Sequence, residues 1–365
     1  MLQKKILPIN LQFKCLWDRA KSSLSHPTFF VDHGLKCKIL LTNYFIKPHP
    51  ALSAFVDNYI LSTSGEDTYS FHSYWPASNK TAIAFYLGDK PQHQTVNENS
   101  PTFGDKRNCI VGSSTGPGGI ISFSGRFHTF LIDFNANGIN RLFGLAMHEF
   151  ADEIFTLGDV LGNRVASLEE QLLYAVNIQQ MAGIADTFLL SFLKKQKQNN
   201  AAQDSITAIS NSIHRQLHPT SVEHYACATN MSLRNFQRRF KEQVGISPKL
   251  YLEIFRFNQA LKQKILYPGK TWTSIAYECG YFDQMHLIKD FKAFTGFTPF
   301  DFFKHQHPEQ VQLMPITRFI SPDFFRMQHQ KQIIIPTGIQ REKNPLQVPN
   351  KPSEEQLVFV HRESY

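Results

Sequence analysis

Apolar and polar positions alternate at helical spacing along residues 220–300, and they do so twice. In SVEHYACATNMSLRNFQRRFKEQVGISPKLY, Ser221 stands before a short helix that turns Tyr225 and Ala226 inward. Asn230 and Met231 mark a turn. Ser232 then caps a second helix with Phe236 and Phe240 on its inner face, four residues apart. The run TSIAYECGYFDQMHLIKDFKAFTGFTPFDFF repeats this plan, with Ala276, Leu287, Phe291 and Phe294 as its inner positions. Phe240, Gly245 and Pro248 recur 51 positions later as Phe291, Gly296 and Pro299. Ala226 and Ala276 are only 50 apart, so one residue has been added between these anchors. Between the copies, Pro248 opens a long helix with Tyr251, Leu252, Phe255, Leu261 and Ile265 on its apolar side, and Pro268 and Gly269 close it.

The front half has a different period. ILLTNYF at 39–45 has strand propensity, and HPALSAFVDNYIL passes from a short helix into a strand. YSFHSYW, TAIAFYLG, RNCIVG and GIISFSGRFHTFLIDF follow as short aromatic-rich strands, separated by Gly, Pro, Asn and Ser. Beyond Asn135 the spacing becomes helical. NANGINRLFGLAMHEF carries Ile139, Phe143 and Met147 on related faces, and a helix begins near Asp159. Leu168, Leu172, Leu173, Ala175 and Val176 extend an apolar face. A further helix over about 181–196 shows Ile184, Phe188, Leu189 and Phe192. QKQNNAAQDS, 196–205, is polar and reads as a linker.

The expected fold class is therefore α+β. Residues 1–199 form an antiparallel barrel or sandwich (strand-rich at 48–134) with helices at 137–197, and residues 206–305 form an all-α double helix-turn-helix. Residues 309–365 mix short apolar islands with Gln, Lys and Pro and read as a weakly ordered tail.

Charge sharpens this picture. The chain of 365 residues carries a formal net charge of +8, and residues 206–305 hold thirteen Lys and Arg against seven Asp and Glu. Six of the eight excess positive charges therefore fall within this span. Arg234, Gln237, Arg238 and Lys241 occupy the outer face of the first copy; Gln284, Met285, His286, Lys289 and Lys292 occupy that of the second. Arg and Gln have the donor geometry to read base edges, Lys and the neighbouring Arg239 suit phosphates, and Met285 suits either a thymine methyl or packing at the helix edge. A helix-turn-helix pushes its second helix into a DNA major groove, so double-stranded DNA is the expected partner. One rod joining two such units would set two reading helices about 34 Å apart, one DNA turn.

The pattern Tyr225-Ala226, Ser232, Phe236-x-Arg238-x-Phe240-Lys241, Gly245-x-x-Pro248-x-x-Tyr251, with Arg256 and Ala260, resembles the DNA-binding domain of the AraC/XylS family of transcription regulators. The second copy supplies Ile275-Ala276, Cys279-Gly280-Tyr281, Leu287, Phe291-Lys292, Gly296 and Thr298-Pro299. The resemblance covers about 100 residues. It implies a front half that is a cupin-like sensing or dimerisation domain, a small-molecule effector, a homodimer, and contact with the transcription machinery.

Chemistry in the front half is sparse. His49, His72, His93 and His128 form no metal-ligand spacing, with His49 and His93 falling in turn-like regions; no metal and no cofactor are expected. The loop VGSSTGPGGI, with Ser113 and Ser114, lacks the lysine of a phosphate loop and reads as a mobile turn. Asp133 and Arg126 suit either the wall of an effector pocket or a surface ion pair. No catalytic arrangement of Ser, Cys, His and Asp is defined, and the chain reads as a non-enzyme. Five dispersed cysteines, Cys15, Cys37, Cys109, Cys227 and Cys279, suggest neither a disulfide scaffold nor a metal site, and the last two suit core or half-buried helical positions. No apolar run reaches 18 residues, so no membrane partner is expected and the cytoplasm is the expected compartment. Two other classes stay open: a metal-assisted cupin-like enzyme fused to a DNA-binding module, and an architectural or interaction protein indifferent to sequence.

Overall fold

The computed structural model describes residues 28–32, 37–64, 71–95, 102–193, 201–216 and 218–305. The expected tail at 309–365, the lead-in before residue 28 and Cys15 lie outside the described residues.

Among the described residues, ten strands form two antiparallel sheets. They are β1 (Thr28–Asp32), β2 (Cys37–Ile46), β3 (Val56–Ser64), β4 (Phe71–Trp75), β5 (Thr81–Tyr86), β6 (Gln92–Gln94), β7 (Asn108–Val111), β8 (Gly119–Phe123), β9 (His128–Phe134) and β10 (Ile154–Thr156). The larger sheet runs β1-β2-β3-β9-β5-β7-β10 and the smaller β4-β8-β6. In the interior of the larger sheet, between β9 and β7, all six residues of β5 are buried. Ile83 and Phe85 point to one side, where they pack with Tyr59, Phe130, Ile132 and Phe134; Ala84 and Tyr86 point to the other, toward Trp75, Phe103 and Ile121 of the smaller layer. A strand covered on both faces carries no polar alternation, which explains the unbroken apolar run TAIAFY.

Helices cover the first of those faces: α1 (Gly138–Phe143), α2 (Leu157–Leu161), α3 (Arg164–Tyr174) and α4 (Ile178–Leu193). Ile139, Leu168, Leu172, Met181, Ala185 and Leu189 join the Tyr59 and Phe130 core. The Tyr59 hydroxyl donates to Asp186 Oδ1 at 2.7 Å, tying α4 to β3.

Several expectations need correction. GIISFSGRFHTFLIDF is two strands in different sheets, broken at Gly125 (φ 80°), where a Cβ would stand 2.2 Å from Asp89 Oδ2. The helix containing Ile139 stops at Phe143 on a left-handed Gly144, and Met147 lies in a separate 3₁₀ turn, Met147–Glu149. The apolar face through Leu173 and Val176 is not a core face: α3 ends at Tyr174, and Val176 is 85% exposed. His93 lies in strand β6. The stretch expected as a linker is helical from Ala201, the start of α5 (Ala201–Arg215). Its Ile206, Ile209 and Ile213 are buried in the core of the C-terminal helices.

Those helices are α6 (Val222–Ala228), α7 (Leu233–Val244), α8 (Pro248–Leu266), α9 (Trp272–Glu278), α10 (Gln284–Thr295) and α11 (Pro299–His305). Helices α7 and α10 have the same length and stand 51 residues apart; α6 and α9 match at 50. The protein thus joins an N-terminal antiparallel layer structure to a C-terminal helical double helix-turn-helix.

Candidate nucleic-acid interface

Each helix pair is built by the same local devices. Ser221 accepts from the His224 amide (3.3 Å) to start α6, and Ser232 accepts from the Asn235 amide (3.4 Å) to start α7. In the second copy Thr271 and Asp283 do this work for α9 and α10, accepting from Ser274 N (3.2 Å) and His286 N (2.7 Å). Asn230 (φ 54°) and Gly280 (φ 74°), 50 residues apart, take the left-handed conformation that reverses the chain. The amide following each points back to the same place: Met231 N to Ala226 O (3.2 Å), Tyr281 N to Ala276 O (2.9 Å).

The inner positions form one core. Ala226, Phe236, Phe240, Ala276, Leu287 and Phe291 are all buried, and α8 runs between the two units. Phe240 meets Tyr251 edge-on at 5.3 Å between centroids, and Phe291 meets Phe257 at the same distance. Arg256 pins the second turn: its guanidinium lies 5.2 Å over the Tyr281 ring and donates to Gly280 O at 3.4 Å. Burial raises the Tyr281 hydroxyl pKa and pushes the Cys279 thiol up to about 12. Cys279 is buried as part of this core, whereas Cys227 is exposed rather than half-buried.

Most of the outer positions are left in solvent, and Gln284 and His286, expected among them, are not. Arg234, Gln237, Arg238 and Lys241 are exposed on α7, and Arg238 is steadied along its own helix by Glu242 (3.3 Å) and Asn235 (3.2 Å). On α10, Met285, Lys289 and Lys292 are exposed. Gln284 and His286 are half-buried, Gln284 accepting from the Thr273 hydroxyl at 2.6 Å and His286 standing 3.8 Å from Asp290. Arg239 is half-buried between the two faces. Exposed aromatics of these helices include Tyr277 on α9 and Phe282 in the turn after it; helical spacing marks inner positions well but gives no sign of an aromatic that stays outside.

The opposite ends of both outward helices are held by the N-terminal layers. The Asn137 amide donates to Gln243 Oε1 (3.1 Å) and the Ser113 hydroxyl to Val244 O (3.3 Å), both at the end of α7. Ala77 N donates to Phe294 O (2.8 Å), and Tyr74 packs on Phe297 at 4.5 Å, both at the end of α10. Ser113 and Ser114 are therefore a buried, anchored loop rather than a mobile turn; Asp152 further ties it by accepting from Thr115 N and Oγ1, each at 2.6 Å.

Asp133 is also a correction: it is buried, and its partner is Lys80 (3.4 Å), which also reaches Asp57 (3.1 Å). Burial opposes the Lys80 charge, but these two carboxylates overcome it and hold its pKa above the ordinary value. Lys80, Asp57, His214, Asn211, Asn258 and Lys262 line a cleft of about 450 Å³ between the β-layers, α5 and α8. Among the described residues no group of three or more His, Cys, Asp or Glu is placed to hold a metal, and no helix is long and apolar enough to cross a membrane.

Two paired helix units on one rod, with capped outward helices, define a double helix-turn-helix. Residues 225–305 match the family described as a helix-turn-helix domain, and residues 44–156 match a domain of unknown function (DUF6597). The HTH-type transcriptional activator RhaS of Escherichia coli O139:H28 is 32% identical over 72 residues, covering 20% of this chain and 26% of that protein. RhaS of Klebsiella pneumoniae is 30% identical over 79 residues, 22% of this chain and 28% of its own. The chain thus spans about a quarter of the length of these curated relatives. Among solved structures, ToxT from Vibrio cholerae O395 covers 65% of this chain and 96% of its own at 9% identity and a TM-score of 0.36. An AraC-type regulator from Chromobacterium violaceum covers 32% of this chain and 96% of its own at 26% identity and a TM-score of 0.26.

Proposed function

We propose that this chain is a sequence-specific DNA-binding transcription regulator. The observation that supports it most is the pair α7 and α10: equal helices, 51 residues apart, packed on one rod, with their polar faces exposed. Such helices dock in successive major-groove segments on one side of a duplex. Arg234, Gln237 and Arg238 would read base edges, and Lys241, Lys289 and Lys292 would meet phosphates.

The N-terminal layers would regulate this activity, since they hold the ends of both reading helices. The cleft at Lys80 and Asn258 suits a small polar molecule, because the buried Asn258 amide finds no hydrogen-bond partner among the described residues. A ligand there must favour one DNA-binding state over another to act as a switch.

Affinities of the full chain for a duplex library at several salt concentrations test the assignment. Arg238→Ala should flatten discrimination among sequences, while Lys292→Ala should weaken all duplexes evenly and reduce the salt dependence by about one counterion. Equal losses on every sequence in both variants would contradict it.

A further inference from the structure

The two helix-turn-helix units differ by one residue, and the structure identifies which. Gly280 matches Asn230, and Tyr281 matches Met231, because each left-handed residue is followed by an amide that donates to the equivalent alanine carbonyl. The helix caps Ser232 and Asp283 match 51 apart. Phe282 is therefore the added residue. Tyr281 is buried in the core where half-buried Met231 packs in the first unit, so the fold makes no use of Phe282. It is 94% exposed, beside the first turn of α10, and Met285 in that turn is 68% exposed.

The first unit carries a cation, Arg234, at the helix position of Met285. The leading ends of the two reading helices thus differ in kind: guanidinium on one, thioether with an added phenyl on the other. The N-terminal residues of a recognition helix contact base edges, and the apolar feature of a base edge in the major groove is the thymine C5-methyl. Lys289 and Lys292, exposed further along α10, supply the charge that meets phosphates around such a contact.

We propose that Phe282 and Met285 form an apolar reading tip that recognises thymine methyl groups in the half-site bound by α10. This deepens the DNA-binding reading and rests on it. Burying one methyl is worth about a fourfold change in affinity.

The test uses the full chain and a duplex recovered by in vitro selection, with each thymine replaced singly by deoxyuridine, which removes only the methyl. At one or more thymines of one half-site, uracil should weaken the wild-type protein about fourfold. The Phe282→Ala and Met285→Ala variants should lose that sensitivity at the same positions. Both side chains are exposed, so unchanged urea unfolding will accompany the change. Tolerance of uracil at every thymine, or a penalty unchanged in both variants, would overturn the proposal while leaving the Arg238-dependent reading intact. So would variants whose sole effect is altered self-association in sedimentation or altered contact with another protein. Failure to recover any enriched sequence would overturn both readings together.

Discussion

Acid is predicted to loosen this protein through one buried side chain, His214. Its Nε2 lies 2.9 Å from the Tyr251 hydroxyl, joining α5 to α8, and its ring stands edge-on to Phe255 at 5.2 Å. Burial, and then the Lys80 ammonium, push its pKa down to about 4, with Asp57 opposing in part. A histidine ordinarily titrates near 6.5. Between those values the unfolded chain binds the extra proton, so the stabilisation is complete above pH 6.5 and is lost as pH falls toward 4. A shift of this size implies a loss of about 2 kcal/mol between pH 7 and pH 5. His93 and His128 are also pushed down by burial and act with the same sign, so the slope of the native protein alone does not isolate His214. The comparison with His214→Gln does, because glutamine can still meet Tyr251 but does not titrate. Urea unfolding of both proteins at pH 5, 6 and 7 should show the pH dependence of the variant reduced by about 2 kcal/mol. The same pH dependence in both would refute the reasoning.

Three further outcomes follow from packing. Phe240→Ala and Phe291→Ala should each cost about 3–5 kcal/mol and lose helical signal by circular dichroism together with DNA binding, since both rings are fully buried. Lys80→Met should cost about 3–5 kcal/mol in urea unfolding by removing the ammonium that faces buried Asp133, and adding Asp133→Asn should recover part of the loss. Gly245→Ala should destabilise by about 1 kcal/mol or more: Gly245 has a φ of 104°, and a Cβ there would stand 3.0 Å from Met147 O, so thermal unfolding should shift downward.

The C-terminal fold is legible in the sequence because its signals are local and doubled. Ser221 and Ser232 announce helix starts, Phe236 and Phe240 share a face by spacing alone, and a second copy repeats the pattern. The helix α5 was hidden because its first residues, AAQDS, are small and polar; Ile206, Ile209 and Ile213 become a core stripe only when the helix packs against its neighbours. Strand pairing was less legible. GIISF and HTFLIDF are adjacent in sequence, yet they enter different sheets, and β6 and β10 are three residues each, too short to show a period. The contacts gripping α7 and α10 are set by residues far apart in sequence, such as Asn137 with Gln243 and Ala77 with Phe294. Phe282 carries no periodic signal at all; its exposure emerges only from aligning the two turns in space.

The central claim is that α7 and α10 read adjacent major-groove segments on one face of DNA. It is tested most directly by selecting duplexes with the full chain and then inserting base pairs between the two enriched halves. Two half-sites about one turn apart are predicted. Insertion of about 5 base pairs should reduce binding to the level of a single half-site, because it rotates one half to the far side of the duplex. A selected site whose affinity is indifferent to that insertion, or a selection that enriches no sequence, would contradict the account.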